Sequence, residues 1–423
     1  MTDAPGRAGR AALLALLGPV VVVATLCAAA TTAAAAASQG FGAMTPGGAG
    51  GPIVRVTNLN DAGPGSLREA ASKGNRTIVF DVAGDIVLSD YIRVHGAFVT
   101  IDGSTAPAPG ITLRNNGLGI LGLDGAHDVI VRGLRIRNAV QDGIGIGYGA
   151  FNVLVERVSI QGSGDGNLDI TTGAHDVTVA WSILAEPAGT QKNMLVKYDP
   201  SRISLHHNLF VGAKQRNPQV RMADVPTPST DTTVDLRYNL VWNWRDGYGT
   251  WIADGVRANV VANFYSSPFS SDDDQAHALT VDRARAYAIG NVSADPAAGD
   301  LDAESTEGQA FPAPAVDGES ACLAAQRVIA TAGVRPVDAV DARYLAGITL
   351  PTCRDVEPPP APEPTLAELT VTLTADGRLE SGARFAVTDT TLNSGAVATT
   401  PTTTRFHLAP GPVVGAGARV LGS

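Results

Sequence analysis

Short apolar, β-branched segments recur at Val129, Val153, Val177 and Ile203, spacings of 24, 24 and 26 residues. A unit this short cannot bury a hydrophobic face alone; it does so only by stacking on its neighbours. Propeller blades need about 40 residues each, so the period predicts a parallel β-helix with one coil per repeat. Further strand cores at Thr77–Phe80, Phe98–Ile101, Val234–Leu236 and Val260–Val261 extend the series from Ile53 to about Val292. No stretch in that region keeps a helical period. The 47 glycines and an aromatic content of only 5% suit tight turns between short strands. The fold class is therefore all-β.

Two rows of residues follow from the stacking. Asn208, Asn239, Asn263 and Asn291 each follow a strand at a matching place, which predicts an asparagine ladder along the solenoid axis. Counting forward 12 to 18 residues from each repeat start lands on Asp142, on Asp165 and Asp169, on Lys192, and on Arg216 and Arg221. Stacked, these three carboxylates and three cations form one wall.

The chain has 423 residues and a formal net charge of −10, which argues against general nucleic-acid binding. A polyanionic partner would need a local basic patch, and Lys192, Lys197, Arg202, Lys214, Arg216 and Arg221 face only Asp199 within residues 192–222. Arg7 and Arg10, the apolar run from Ala11 to Ala30 and small residues to Ala37 read as a secretory signal over residues 1–37. A retained anchor is the alternative, since the run is long enough to span. Leu26 before Cys27 argues against lipidation. Export makes a disulfide between Cys322 and Cys353 the simplest expectation. The organisation is a β-helix over residues 38–300, an extension over 301–354 with a helix at Ala321–Ala332, a Pro-rich linker over 355–365, and a partial β-sandwich-like segment over 366–423.

Adjacent coils lie about 4.8 Å apart, so carboxylates on neighbouring coils can share one ion. Calcium takes several oxygen ligands in irregular geometry. The spacing is not that of an EF-hand, and no His/Cys cluster joins the carboxylates to favour zinc. Two acids alone would suit glycoside hydrolysis. Several fixed cations shift the preference toward β-elimination on a uronic acid, whose carboxylate they neutralise.

The segments Asp165-Gly166-Asn167-Leu168-Asp169, Val177-Thr178-Val179-Ala180-Trp181, Ile203-Ser204-Leu205-His206-His207-Asn208 and Gln215-Arg216-Asn217-Pro218-Gln219-Val220-Arg221 resemble the pectate lyases of polysaccharide lyase family 1. Gly40-Phe41-Gly42-Ala43-Met44-Thr45 and Gly65-Ser66-Leu67-Arg68-Glu69 resemble the opening of bacterial members. The resemblance covers residues 40–345. It implies a right-handed parallel β-helix, Ca2+ held by Asp142, Asp165 and Asp169, Arg216 as the base, and Lys192 and Arg221 gripping substrate carboxylates. His206, His207 and Asn208 belong to the motif but serve structure. The implied activity is a secreted, monomeric lyase cutting de-esterified polygalacturonate to 4,5-unsaturated oligogalacturonides, with no membrane attachment after signal cleavage. The tail resembles the opening strands of bacterial cell-adhesion-related immunoglobulin-like domains.

The chain departs from the family where Thr190-Gln191 precede Lys192 in place of His-Asp, where Lys197 replaces a glycine, and where Glu156-Arg157 replace Asp-His. Lys192 and Lys197 therefore both stay open for the lysine role, and Glu156-Arg157 reads as a structural substitution. Rival readings are a lyase for another 4-linked uronate and a non-catalytic, polysaccharide-binding or adhesive β-helix. A polygalacturonase would carry clustered Asp with a Gly-His-Gly-like segment, which is not found.

Overall fold

The computed structural model describes residues 38–222, 233–245, 247–267, 277–294 and 300–350, together with the strands Leu366–Thr374, Ala386–Asn393, Phe406–Leu408 and Arg419–Gly422. The expected signal segment, the proline linker and Cys353 lie outside these residues.

Three parallel sheets of 10, 8 and 9 strands form the body. Each coil contributes one strand to each sheet. His127–Arg132, Leu134–Arg137 and Ile144–Gly147 make one coil, and Phe151–Glu156, Ser159–Gln161 and Leu168–Thr171 the next. Every pairing in these sheets is parallel to the equivalent strand of the adjacent coil, so the repeat read from the sequence is a parallel β-helix. The register is the one the spacing implies: Val129 pairs with Val153, Val153 with Val177, Val177 with Ile203, and Ile203 with Val234. These side chains are fully buried in one continuous core.

The corner between the 10-stranded and 9-stranded sheets explains why the asparagines recur. Arg157, Trp181, His207, Tyr238 and Ala262 occupy it in successive coils, all with φ between 50° and 59°. A left-handed conformation costs a non-glycine residue roughly 1–2 kcal/mol, so something must offset it. Trp181 stacks on His207 at 4.0 Å, and Arg157 lies 5.5 Å over Trp181. The following asparagines form the expected ladder: Asn208 Nδ2 donates to Asn239 Oδ1 at 3.1 Å, Asn239 to Asn263 at 2.9 Å, and Asn263 to Asn291 at 3.0 Å. Asp302 ends the ladder by accepting from the Gly290 and Asn291 amides. A second ladder, Asn167–Asn193–Asn217, was not foreseen; its amides meet at 2.8 and 3.0 Å.

The extension packs on the 9-stranded sheet. Helix Ala321–Thr331 is capped by Ser320 and buries Ala321, Cys322, Ala324, Ala325 and Val328 against Leu209, Leu240 and Phe264. A second helix, Ala339–Gly347, capped by Asp338, was not expected; Asp338 and Asp341 tie it to buried Arg137 at 3.0 and 2.8 Å. A short helix, Leu67–Ala70, also interrupts the region read as helix-free. Ser66 caps it by accepting from the Glu69 amide, and the Glu69 carboxylate reaches back to accept from the Gly65 amide just ahead of the cap. Cys322 is disulfide-bonded, while its expected pairing with Cys353 falls outside the described residues. In the tail, Leu366–Thr374 pairs antiparallel with Ala386–Asn393, and Phe406–Leu408 with Arg419–Gly422.

Candidate active site

The 8-stranded sheet turns one face to the core and the other outward. Ile120, Ile146, Ile170, Val196, Val220 and Ile252 stack inward and are buried. Side chains alternate along a strand, so their neighbours face out. One outward column reads Gly145, Asp169, Leu195, Gln219, Trp251. The next position along holds Gly147, Thr171, Lys197, Arg221 and Ala253. Asp142 and Asp165 lie in the turns that lead into two of these strands, and Lys192 and Arg216 in the turns that lead into the next two. The Asn193–Asn217 contact ties the two turns together, and Lys192 pairs with Gln215, the residue before Arg216, on the adjacent coil.

The expected carboxylates lie near enough to feel one another's charge: Asp165 acts on Asp142, and Asp142 and Asp165 act on Asp169. Asp142 Oδ1 accepts from the Gly166 amide of the next coil at 2.9 Å, and Asp169 Oδ1 from the Leu195 amide at 2.9 Å. Gly166 is required here: a Cβ at that position would stand 2.4 Å from Asp169 Oδ1. Burial, with the Asp165 charge adding to it, pushes the Asp142 carboxyl up to about 6. Burial and then the Asp142 charge push Asp169 well above the carboxylate range. The positive charge of Arg216 opposes both shifts. Among the described residues, though, no group of three or more His, Cys, Asp or Glu side chains is drawn up as a metal-holding set.

Two tyrosines of this site went unread in the sequence. The Tyr91 hydroxyl donates to the Asp142 carbonyl oxygen, and burial with the three nearby carboxylates raises its pKa. The Tyr248 phenol hydrogen-bonds Arg216, and burial pushes its pKa up to about 12. Both stand far from the acids in sequence and carry no motif, so only the coil geometry finds them.

The basic patch is smaller than counted from the sequence. Arg202 belongs to the 10-stranded sheet, where its Nε and Nη2 each reach Asp176 at 2.6 Å. Arg221 is on the wall, but its Nη2 meets Asp254 at 2.5 Å; that acid is 33 residues downstream and escaped a local charge count. Lys197 lies on the outward face beside Arg221, its Nζ 4.4 Å from the Tyr198 ring. Lys192 is half-buried and bridges Gln215 through the backbone. Arg216 has φ +64°.

The motif histidines serve structure, as expected. His206 and His207 are buried, His207 Nε2 meets Glu319 Oε1 at 2.6 Å, and burial pushes His206 down to about 3. Glu156 accepts from Ser38 and Arg157 donates to Thr331, both at the first corner and away from the acids.

No family model matches the chain. Over 238 residues it is 36% identical to the probable pectate lyase C of Aspergillus fumigatus, covering 54% of this chain and 53% of that protein. It is 37% identical over 240 residues to the probable pectate lyase C of Neosartorya fischeri, covering 54% and 53%. The chain thus spans about half the length of the curated relatives it matches. Among solved structures it is similar to a pectate lyase from Bacillus sp. N165 in complex with trigalacturonate, with a TM-score of 0.55 and 20% identity over 70% of this chain and 98% of that one. A thermostable pectate lyase matches with a TM-score of 0.52 and 14% identity, over 71% and 97%. These likenesses establish the right-handed parallel β-helix.

Proposed function

We propose that this chain is a secreted, calcium-dependent pectate lyase that cleaves de-esterified polygalacturonate by β-elimination, releasing 4,5-unsaturated oligogalacturonides. The observation that carries the reading is the electrostatic coupling of Asp142, Asp165 and Asp169 beside the Arg216 charge, at the strands and turns of the 8-stranded sheet. The 36% identity to a probable pectate lyase supports it. Asp142, Asp165 and Asp169 would hold the ion: the donors are all oxygen, which suits a hard cation, and the raised pKa values mark negative charge crowded at a buried place. When bound, calcium supplies Lewis acidity toward the substrate carboxylate.

The chain's own residues do the rest. Arg221 and one lysine hold substrate carboxylates by charge-assisted hydrogen bonds. Lys192 pairs with Gln215, the residue before Arg216, while Lys197 shares the outward face with Arg221, and both stay candidates for the role. Arg216 takes the proton from C5. The C5–H electron pair becomes the C4–C5 double bond, the C4–O bond breaks, and the departing oxygen takes a proton from water. Tyr248 holds the Arg216 side chain as this happens.

Absorbance at the unsaturated-uronate band on polygalacturonate, with and without chelator, tests the reading. Product that forms only without chelator is expected. Full activity in excess chelator removes the metal, and product only from another uronate polymer changes the substrate. Export rests on residues 1–37; no helix among the described residues is long and apolar enough to cross a membrane. Mass measurement of alkylated, non-reduced protein checks the Cys322–Cys353 pairing.

A further inference from the structure

One buried acid of the wall takes no part in the chemistry above. Asp254 is 1% exposed and sits at φ +52°, at the corner that ends strand Thr250–Ala253. A carboxylate so buried must be paired. Arg221 Nη2 meets its Oδ2 at 2.5 Å, and Arg283 Nη2 meets its Oδ1 at 2.6 Å. The two arginines come from opposite sides: Ala253 pairs with Arg221 on one neighbouring strand and with Asp282 on the other. Arg283 follows Asp282 at the same corner as Asp254, one coil on, at φ +50°.

The charges decide what this arrangement is for. Arg221 and Asp254 alone would be neutral and a poor site for an anion. Arg283 makes the trio net positive, and its side chain is 64% exposed. Asp282 stands 3.5 Å from Arg283 Nε and is 42% exposed; counted with the trio it brings the four groups to zero, so the pull on a carboxylate comes from the N–H donors that Arg283 exposes to solvent. Trp251 backs Arg221, with the guanidinium 5.9 Å from its ring. The guanidinium of Arg221 is thus fixed from behind by a ring and from one side by a carboxylate, with a second cation beside it.

We propose that Arg283 is a further substrate-binding residue and that Asp254 is the positioning residue that sets Arg221 and Arg283 as a two-arginine clamp for carboxylates of a polyuronate. The clamp extends the wall two strands beyond Arg221, away from the acids. It rests on the reading of this face as a polyuronate site. The chain therefore holds the polymer at uronate units outside the one being cleaved.

Affinity electrophoresis through polygalacturonate, in chelator, reads binding without turnover. Arg283→Gln, an exposed change that leaves the core intact, should weaken retardation about tenfold and flatten its salt dependence. Asp254→Asn should weaken it to a similar extent, but add nothing in an Arg221→Gln/Arg283→Gln background, where there is no arginine left to position. On the enzyme, Arg283→Gln should raise KM with kcat unchanged. Equal retardation of wild type and Arg283→Gln overturns the clamp, as does a further loss from Asp254→Asn in the Arg221→Gln/Arg283→Gln background. Either result with wild-type release of unsaturated product leaves the lyase reading standing; retardation that depends on Arg283 without any product would sink the lyase reading and keep the clamp.

Discussion

Two faces of the same coils follow opposite rules. On the 10-stranded sheet and its corner, stacked positions repeat themselves: Val129, Val153, Val177 and Ile203 in the core, and Asn208, Asn239, Asn263 and Asn291 at the turn. On the outward face of the 8-stranded sheet they change at every coil, from Gly145 to Asp169, Leu195, Gln219 and Trp251. The strands pair equally regularly on both. The backbone ladder therefore asks nothing of an outward side chain, whereas a buried amide must find its equivalent one coil away. Repetition marks what holds the solenoid together, and its loss marks where the solenoid is used.

The sharpest way to break this contrast is to change one residue on each face. Arg216→Lys should cut kcat at saturating polygalacturonate by about a hundredfold or more, with the fold and KM little altered; near-normal turnover would leave Arg216 a binding residue only. Asn239→Ala should do the reverse. Asn239 exchanges hydrogen bonds with Asn208, Asn263 and the Leu205 carbonyl, so its loss strands buried partners and should cost about 2–4 kcal/mol in denaturant unfolding. Activity below the melting range should survive.

A smaller effect tests whether the acids are placed for function at the expense of stability. Burial raises the Asp142 pKa to about 6 in the folded chain, above the ordinary value near 3.9 in the unfolded one. The folded form holds the proton more tightly, so this contribution is fully present below about pH 4 and is lost as pH rises through about 6. Metal-free protein should lose about 3 kcal/mol across that window from Asp142. Asp142→Asn should reduce the loss, leaving the part that comes from Asp169, and thermal melts at pH 4 and pH 8 in chelator check it. An unchanged pH dependence would mean that Asp142 is not strained by its site. The smallest effect expected is that of removing residues 356–423, which should leave lyase activity intact; a large loss in a folded truncation would bring the tail into the site.

Much of the site was legible because it lies in line with the repeat. Asp142, Asp165, Asp169 and Arg216 fall at similar offsets, and similar offsets stack. The partners Tyr91, Tyr248, Asp254 and Arg283 were not legible. Asp254 stands 33 residues from Arg221 in the chain but one strand away in the sheet, and nothing in its local sequence says that its carboxylate is buried. Arg202 failed the other way: a neighbour of the wall in sequence, it points from another sheet onto Asp176.

The sequence by itself determined the coil. Its period, its β-branched cores and its recurring asparagines are local facts that each coil imposes on the next, because a short repeat has no other way to bury itself. Only the tertiary structure decided which charges are shared. Whether a guanidinium is held by a carboxylate or left to meet a substrate depends on which groups other coils bring within a few ångströms, and on how much water they exclude.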